Sequence, residues 1–256
     1  MPVYKGLENL VTLKTTATIG INLDIVASYY STDKAKAKKA AYIANFPGGN
    51  DANHDRIEKY LIGFGYDVTR HNSLWFASTF ATTAKDKEVC SIVSHSQAYF
   101  YKHAGALCSL FTGFCSSANW ARVKLADLPA GLSYKFVFAG ACNSARGAVS
   151  AIDPTKKDLG KEFAEKFGIF TKVVNNGQEQ EQGAYLGFLV TVYPNQTAEF
   201  GEYLFEELKK KPDGTIPTVS EAAKQAGVRM KGAGDLSWEA DITYKIFGND
   251  GITLDK

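Results

Sequence analysis

The sequence predicts an α/β fold with one mainly parallel sheet covered on both faces. Three observations carry that prediction. Short apolar runs rich in β-branched and aromatic residues recur along the chain, and each is too short for a buried helix. Stretches with apolar residues at i, i+3, i+4 and i+7 lie between them. Gly and Pro punctuate the junctions. Alternation of this kind calls for parallel strands joined by helical crossovers.

Residues 1 to 39 stand apart from this pattern. Thr18 to Val26 alternates polar and apolar residues, as a half-exposed strand does, and Asp33 to Lys39 is a basic stretch that reads as a solvated linker. The expected organisation is an N-terminal extension over 1–39 and one α/β domain over 40–256. Within the domain, Ala41 to Phe46 is the first strand, stopped by Pro47-Gly48-Gly49. Ile57, Tyr60, Leu61 and Phe64 mark a helix ended by Gly65. Tyr66 to Thr69 begins a second strand, residues 74 to 86 are read as helical, and Val89 to Ser94 is a strand. Residues 99 to 120, with Gly105, Gly113, Ser116 and Ser117 among many aromatics, read as a long loop. Tyr134 to Ala141 is a strand. Leu159, Phe163 and Phe167 mark a helix, Phe170 to Val174 a short strand, and Gly183 to Tyr193 contains another. Phe200, Tyr203, Leu204 and Leu208 mark a helix. Thr218-Val219-Ser220-Glu221 has the form of a capping box opening the next helix. Thr243 to Phe247 closes the series as a strand.

Composition narrows the function classes. The chain has 256 residues, 45% hydrophobic and 22% charged, with a formal charge of +2. That size suits one large α/β domain. So small a net charge gives no reason to expect nucleic acid or an anionic membrane as partner. No run of about 18 apolar residues is present, and the first ten residues lack an apolar signal core. A cytoplasmic protein is the expectation. The four cysteines include no C-x-x-C pair, and no two histidines have the spacing of a helical zinc site, so no metal is expected. Cys108 and Cys115 read as two reduced thiols rather than a bridge.

Two apolar runs end in reactive residues. One delivers His95 and the other Cys142, 47 residues later. Open α/β sheets build their sites at the C-terminal ends of strands. A thiol with an imidazole is what nucleophilic acyl transfer requires, because imidazole accepts and returns a proton near neutrality. Either residue alone would read as structural. The other histidines are weaker candidates. His54, in Asp51-Ala52-Asn53-His54-Asp55, reads as part of a hydrated polar loop, while His71 and His103 show no partner. A serine hydrolase would need Gly-x-Ser-x-Gly, and a dinucleotide fold Gly-x-Gly-x-x-Gly; neither occurs, nor does a P-loop.

Four blocks resemble the caspase-like (clan CD) cysteine peptidases, which include caspases, gingipains, clostripain-like peptidases and CHAT domains. Phe136 to Cys142 resembles the strand that ends in Ala-Cys, and the His about 50 residues upstream fits the caspase spacing. Ala141-Cys142-Asn143-Ser144-Ala145-Arg146-Gly147 looks most like the CHAT form. Gly183 to Phe188 and Tyr244 to Asp250 are similar to later segments of gingipain-like and CHAT domains. The likeness covers roughly residues 40 to 254. It implies a caspase-like three-layer sandwich and a cysteine endopeptidase that needs no cofactor and takes a peptide or protein substrate, with room for a regulatory protein partner. It implies Cys142 as nucleophile, His95 as proton carrier and the backbone N–H groups of Ser96 and Cys142 as oxyanion hole. The chain departs from the family at Ser96, where Gly is usual, and at Gly140, a position that often lines the S1 pocket. Asp51 and Asp55 are candidates for an acidic substrate pocket, Arg56 and Arg146 for the opposite. A catalytically inactive caspase-like binding or scaffold module is the alternative. Cleavage within the Lys34 to Lys39 linker or the Asp153 to Asp158 loop is a further expectation.

Overall fold

The computed structural model describes residues 39–45, 51–71, 77–103, 106–115, 122–146, 159–175, 177–232, 234 and 236–254. The expected N-terminal strand at 18–26 and both expected cleavage loops lie outside these residues, apart from Lys39. That residue opens the first strand rather than closing a linker.

The elements alternate as the patterning requires. β1 (Lys39–Asn45) is followed by α1 (Asp51–Gly63), β2 (Tyr66–His71), α2 (Ala77–Thr83) and β3 (Val89–Val93). Then come β4 (His95–His103), β5 (Ala106–Cys115), β6 (Arg122–Lys124), a 3-10 turn (Leu125–Asp127) and β7 (Phe136–Gly140). α3 (Leu159–Lys166), β8 (Lys172–Asn175), β9 (Gln178–Glu181) and β10 (Ala184–Phe188) follow. α4 (Pro194–Glu207), α5 (Val219–Arg229) and β11 (Tyr244–Gly248) complete the order.

Six strands form the central sheet in the order β11-β10-β7-β3-β1-β2. All neighbours are parallel except β10 and β11. β3, β7 and β10 are buried at every position, which is why their sequences read as continuous apolar runs rather than alternating ones. Alternate residues point to opposite faces and feed two cores. One joins Ile43, Val93, Phe136, Phe138 and Leu186 to α1, α4 and α5. The other joins Tyr42, Cys90, Val137, Ala139 and Tyr185 to Phe80 of α2, Phe163 of α3 and Phe114 of β5. The result is three layers.

Local signals explain the helix ends. Gly65, at φ +87°, turns the chain out of α1. At α5 the expected capping box is formed: the Glu221 N–H donates to Thr218 Oγ1 at 3.2 Å, and the Thr218 N–H donates to Glu221 Oε2 at 2.9 Å. No helix of the described residues is long and apolar enough to cross a membrane.

The structure corrects the reading of residues 99 to 120. Most of that stretch is a hairpin, with β4 pairing antiparallel to β5 and β5 to β6. Tyr, Phe, Leu and Thr favour a pleated surface, and this outweighed the scattered Gly and Ser that suggested a loop. The register shifts at Gln97/Ala98, so one extra residue of β5 is accommodated as a bulge. Cys108 and Cys115 both fall on β5. Seven residues of strand span about 23 Å, far beyond the roughly 7 Å that a bridge tolerates. β9 was missed because Gln178–Glu181 carries no apolar alternation; it is held by hairpin pairing to β8.

Phe138 sits at the centre of the first core. It stacks on Phe200 at 6.2 Å and meets Phe188 and Phe205 edge-on at 6.2 and 6.4 Å. Its replacement by alanine removes a ring that three others pack against. Urea denaturation of Phe138→Ala is expected to show a loss of about 3–5 kcal/mol. A loss below about 1 kcal/mol would mean that the cluster does not act as a unit.

Candidate active site

The site begins with register. In the parallel β3–β7 pair, Val93 stands opposite Gly140. The Ser94 N–H donates to the Gly140 carbonyl at 3.1 Å, carrying the pairing one residue further. His95 lies two residues beyond Val93, and Cys142 two residues beyond Gly140. Both therefore leave neighbouring central strands at the same level of the C-terminal edge. A single residue, Ser94, separates β3 from β4, so His95 ends one sheet and starts the next, where it pairs with Cys115. His95 is exposed, Ser96 is half-buried and Cys142 is half-buried.

The chain around Cys142 is a turn held from beneath. Asn143 adopts φ +56°, a left-handed conformation that Asn tolerates better than most residues. Its N–H donates to the Val190 carbonyl at 3.0 Å, and the Ala145 N–H donates to Phe188 at 2.9 Å. The buried Ser144 hydroxyl donates to the Ala139 carbonyl at 2.6 Å and accepts the Phe188 N–H at 3.0 Å. The Tyr185 hydroxyl donates to the Ser144 carbonyl at 3.1 Å. Three successive residues of the turn are thus tied to β10 and the segment after it. Ser144 acts as a clasp between the turn, β7 and β10. The Arg146 guanidinium reaches Asn143 Oδ1 at 3.2 Å.

The thiol itself has a partner that no sequence signal announces. Cys142 Sγ donates to the Val192 carbonyl at 3.1 Å, and the Val192 N–H points back at the sulfur at 3.4 Å. Once the sulfur ionises, the N–H contact remains favourable and the carbonyl contact does not. Cys90 offers a contrast. It is fully buried in β3, and burial pushes its thiol far above the usual range, so it is inert as a nucleophile.

The candidate substrate residues fare differently. Gly140 is buried, and a Cβ there would meet the Ile92 carbonyl at 2.9 Å and the Phe138 and Val93 side chains at 3.1 Å. A side chain at that position would therefore meet packed protein. Asp51 and Asp55 open α1 at the same sheet edge, but both face Arg70 of β2. Arg70 also holds Glu58 at 3.1 Å. Its hydrogen bond to Asp55 holds that carboxyl below the usual range. The Asp51 and Asp55 carboxylates stay exposed, at 65% and 57%, while turned toward Arg70. Arg56 is likewise paired, to Glu202 at 2.5 Å.

His54 is the clearest departure from expectation. It lies within α1 rather than a hydrated loop, and it is 1% exposed with neither ring nitrogen hydrogen-bonded. It shares the buried face of the helix with Ile57 and Leu61. That spacing was legible, but a histidine between polar neighbours masked it. His71, at the end of β2, meets the Tyr42 hydroxyl at 3.1 Å. No cluster of three or more metal-ligating side chains occurs among the described residues.

The architecture is that of the caspase-like peptidases: a mainly parallel sheet between helical layers, with the Ala-Cys strand next to the His strand. Comparison with solved structures agrees. The chain is similar to the Arg-specific cysteine proteinase gingipain R (RGPB), with a TM-score of 0.53 and 13% identity over 84% of this chain and 47% of that one. It is similar to the complex of the pro- and mature domains of Porphyromonas gingivalis RgpB, with a TM-score of 0.53 and 12% identity over 84% and 48%. The chain spans about half the length of these proteins. No family model matches it, and no curated protein does.

Two predictions follow from this geometry. Burial, then the charge of Arg70, pushes the His54 pKa down from 6.5 to about 4, against the pull of Asp55. Unfolded protein therefore binds the proton that folded protein refuses. Stability is full above pH 6.5 and falls as pH drops toward 4, by a total on the order of 3 kcal/mol. Urea titrations across that range should show the slope, and His54→Leu should flatten it; an unchanged slope would place the proton uptake elsewhere. The second concerns Gly187. A Cβ there would lie 2.8 Å from Ser144 Oγ and 2.9 Å from the Ala145 nitrogen. Gly187→Ala is expected to cost about 1–3 kcal/mol and to change the rate at which iodoacetamide alkylates Cys142. Wild-type stability and rate would show that the turn yields freely.

Proposed function

We propose that the protein is a cysteine endopeptidase of caspase-like type, with Cys142 as nucleophile and His95 as its proton carrier. The observation that supports this most directly is the Val93–Gly140 register, which sends His95 and Cys142 off adjacent strands at one level of one sheet edge. The reaction would start with transfer of the Cys142 proton toward His95 and attack of the sulfur on the substrate carbonyl. The Sγ contact to Val192 breaks at that point. The tetrahedral oxyanion is met by the N–H of Cys142, which no described residue claims, and by that of Ser96. Each such donor is worth about 3 kcal/mol in hydrolases. His95 then protonates the leaving amine, and water releases the acyl group. This chemistry asks for no cofactor or metal.

The motif from Ala141 to Gly147 argues for a CHAT-like member of the group. Residues 40–256 would be the catalytic unit and 1–39 an extension. A peptide or protein is the substrate, and nucleic acid and membrane have no part in the reading. Arginine specificity, which belongs to gingipain R, is not carried over, since Asp51 and Asp55 are engaged by Arg70. A regulatory protein partner has a parallel in the pro- and mature-domain complex of RgpB.

The test is kinetic. Fluorogenic peptides with Arg, Lys, Asp or Leu at P1 should identify a cleaved member. Cys142→Ala and His95→Ala should each lose nearly all of that turnover, and the double variant should lose little more, because residues of one catalytic unit are strongly non-additive. Wild-type turnover by either single variant would remove it from the mechanism. An inert wild type whose Cys142 also resists a peptidyl acyloxymethyl ketone would favour the non-enzymatic module.

A further inference from the structure

We propose that the loop over 236–243 latches the segment after β10 against the Cys142 thiol in the resting protein, with Thr243 as the positioning residue. The inference rests on Cys142 as the reactive thiol of the proposed peptidase and adds a restraint on that thiol from a distant part of the chain.

The restraint is a chain of hydrogen bonds. The Thr243 carbonyl accepts the Leu189 N–H at 2.9 Å, one residue past the end of β10. The Val190 carbonyl accepts the Asn143 N–H at 3.0 Å. The Val192 carbonyl accepts the Cys142 thiol at 3.1 Å, and the Val192 N–H lies 3.4 Å from the sulfur. The segment over 189–192 is thus held by Thr243 at one end and by the Cys142 turn at the other. The thiol contact has to break before the sulfur can attack. A firmly held segment therefore slows the sulfur, and a loosened one frees it.

Thr243 is itself fixed. Its side chain is buried, and its hydroxyl accepts the Trp238 N–H at 3.2 Å. Its own N–H donates to the Glu239 carbonyl at 2.9 Å, so the loop closes on itself. Trp238, also buried, stacks on Phe200 at 5.5 Å. It meets Phe188, the last residue of β10, edge-on at 6.2 Å. From α5, a Cβ on Gly227 would lie 2.2 Å from the Trp238 carbonyl, so the helix leaves the loop no slack.

Backbone strain marks the same two ends. Trp238 has φ +55° and Asp241 φ +59°. A bulky side chain rarely adopts that conformation, which persists where its surroundings over-determine it. Among the described residues four non-glycines have positive φ. Three of them, Asn143, Trp238 and Asp241, lie in the Cys142 turn and the 236–243 loop, which the chain of bonds joins.

The experiment reads the thiol itself. Full-length wild type, Thr243→Val, Thr243→Ser and Gly227→Ala are treated with iodoacetamide at neutral pH, well below each melting temperature. Mass spectrometry follows Cys142 and Cys90 separately. Cys90 is fully buried and reports opening of the whole core. Thr243→Val keeps the shape and removes the acceptor of the Trp238 N–H. Its Cys142 is expected to react about 5-fold faster or more, the net worth of one hydrogen bond, with Cys90 still silent. Thr243→Ser restores the hydroxyl and should stay within about 2-fold of wild type. Gly227→Ala presses on the same loop from α5 and should act as Thr243→Val does; it decides the matter if Thr243→Val does not fold. An unchanged Cys142 rate in a variant with a lowered melting temperature would reduce the loop to a structural role and overturn the proposal. So would acceleration of Cys142 and Cys90 together, a slower Cys142, or Thr243→Ser behaving as Thr243→Val. Turnover of the fluorogenic peptides is measured on the same samples. An inert wild type would count against the peptidase reading alone, because the alkylation rates do not depend on cleavage.

Discussion

The register between β3 and β7 is the constraint on which the rest depends. These are the two central strands of the sheet, both fully buried, and their pairing runs unbroken from Val89–Phe136 to Val93–Gly140. Side-chain direction on a strand has a period of two, so a slip of one residue would move Phe136 and Phe138 from one core to the other. Two aromatic cores of different shape penalise that slip from both faces. The same register fixes where the strands end relative to one another. His95 and Cys142 come to one level because the buried side chains behind them permit a single alignment. Distance along the chain is irrelevant once that alignment is set.

Cys142 also depends on what happens beyond the strand. Its turn is tied to β10 through Ser144, Ala145 and the Tyr185 hydroxyl, and to the following segment through Asn143. β10 is paired to β7 on one side and to β11 on the other. Cys142 therefore sits on a platform of three strands. The left-handed Asn143 backbone is stabilised by bonds on both sides of it, which is how an uncommon conformation persists at a site. His95 has a different setting. It is exposed, and the strand it starts belongs to the separate β4-β5-β6 sheet. One member of the pair is fixed by the core and the other by the junction of two sheets.

Much of the fold was legible because it rests on local signals. The buried central strands announce themselves as apolar runs, α1 and α4 by their periodicity, and α5 by the Thr218–Glu221 box. The hairpin at 95–115 was not legible, since its glycines and serines imitate a loop and only pairing to a distant segment reveals it. The positions of His95 and Cys142 were legible from strand ends. Their surroundings were not. Val192 lies 50 residues from Cys142, and Arg70 lies across α1 from the acids it gathers. Contacts of that range leave no trace in spacing. The tight packing around Gly140, where an added Cβ would lie 2.9 Å from the Ile92 carbonyl, likewise leaves no trace in spacing.

The acids of α1 show why composition near a site is a poor guide to specificity. Asp51, Asp55 and Glu58 would together make a strongly negative rim if they were free. Arg70 converges on all three, and it is the most buried of the four side chains, at 10% exposed. A buried guanidinium cannot shed its charge, so it must recruit carboxylates. Its demand is set by burial in the β2–α1 interface and not by any substrate. His54 feels the same cation and stays neutral beside it. Three carboxylates around one guanidinium leave this corner net negative, with the charge drawn toward Arg70 rather than cancelled.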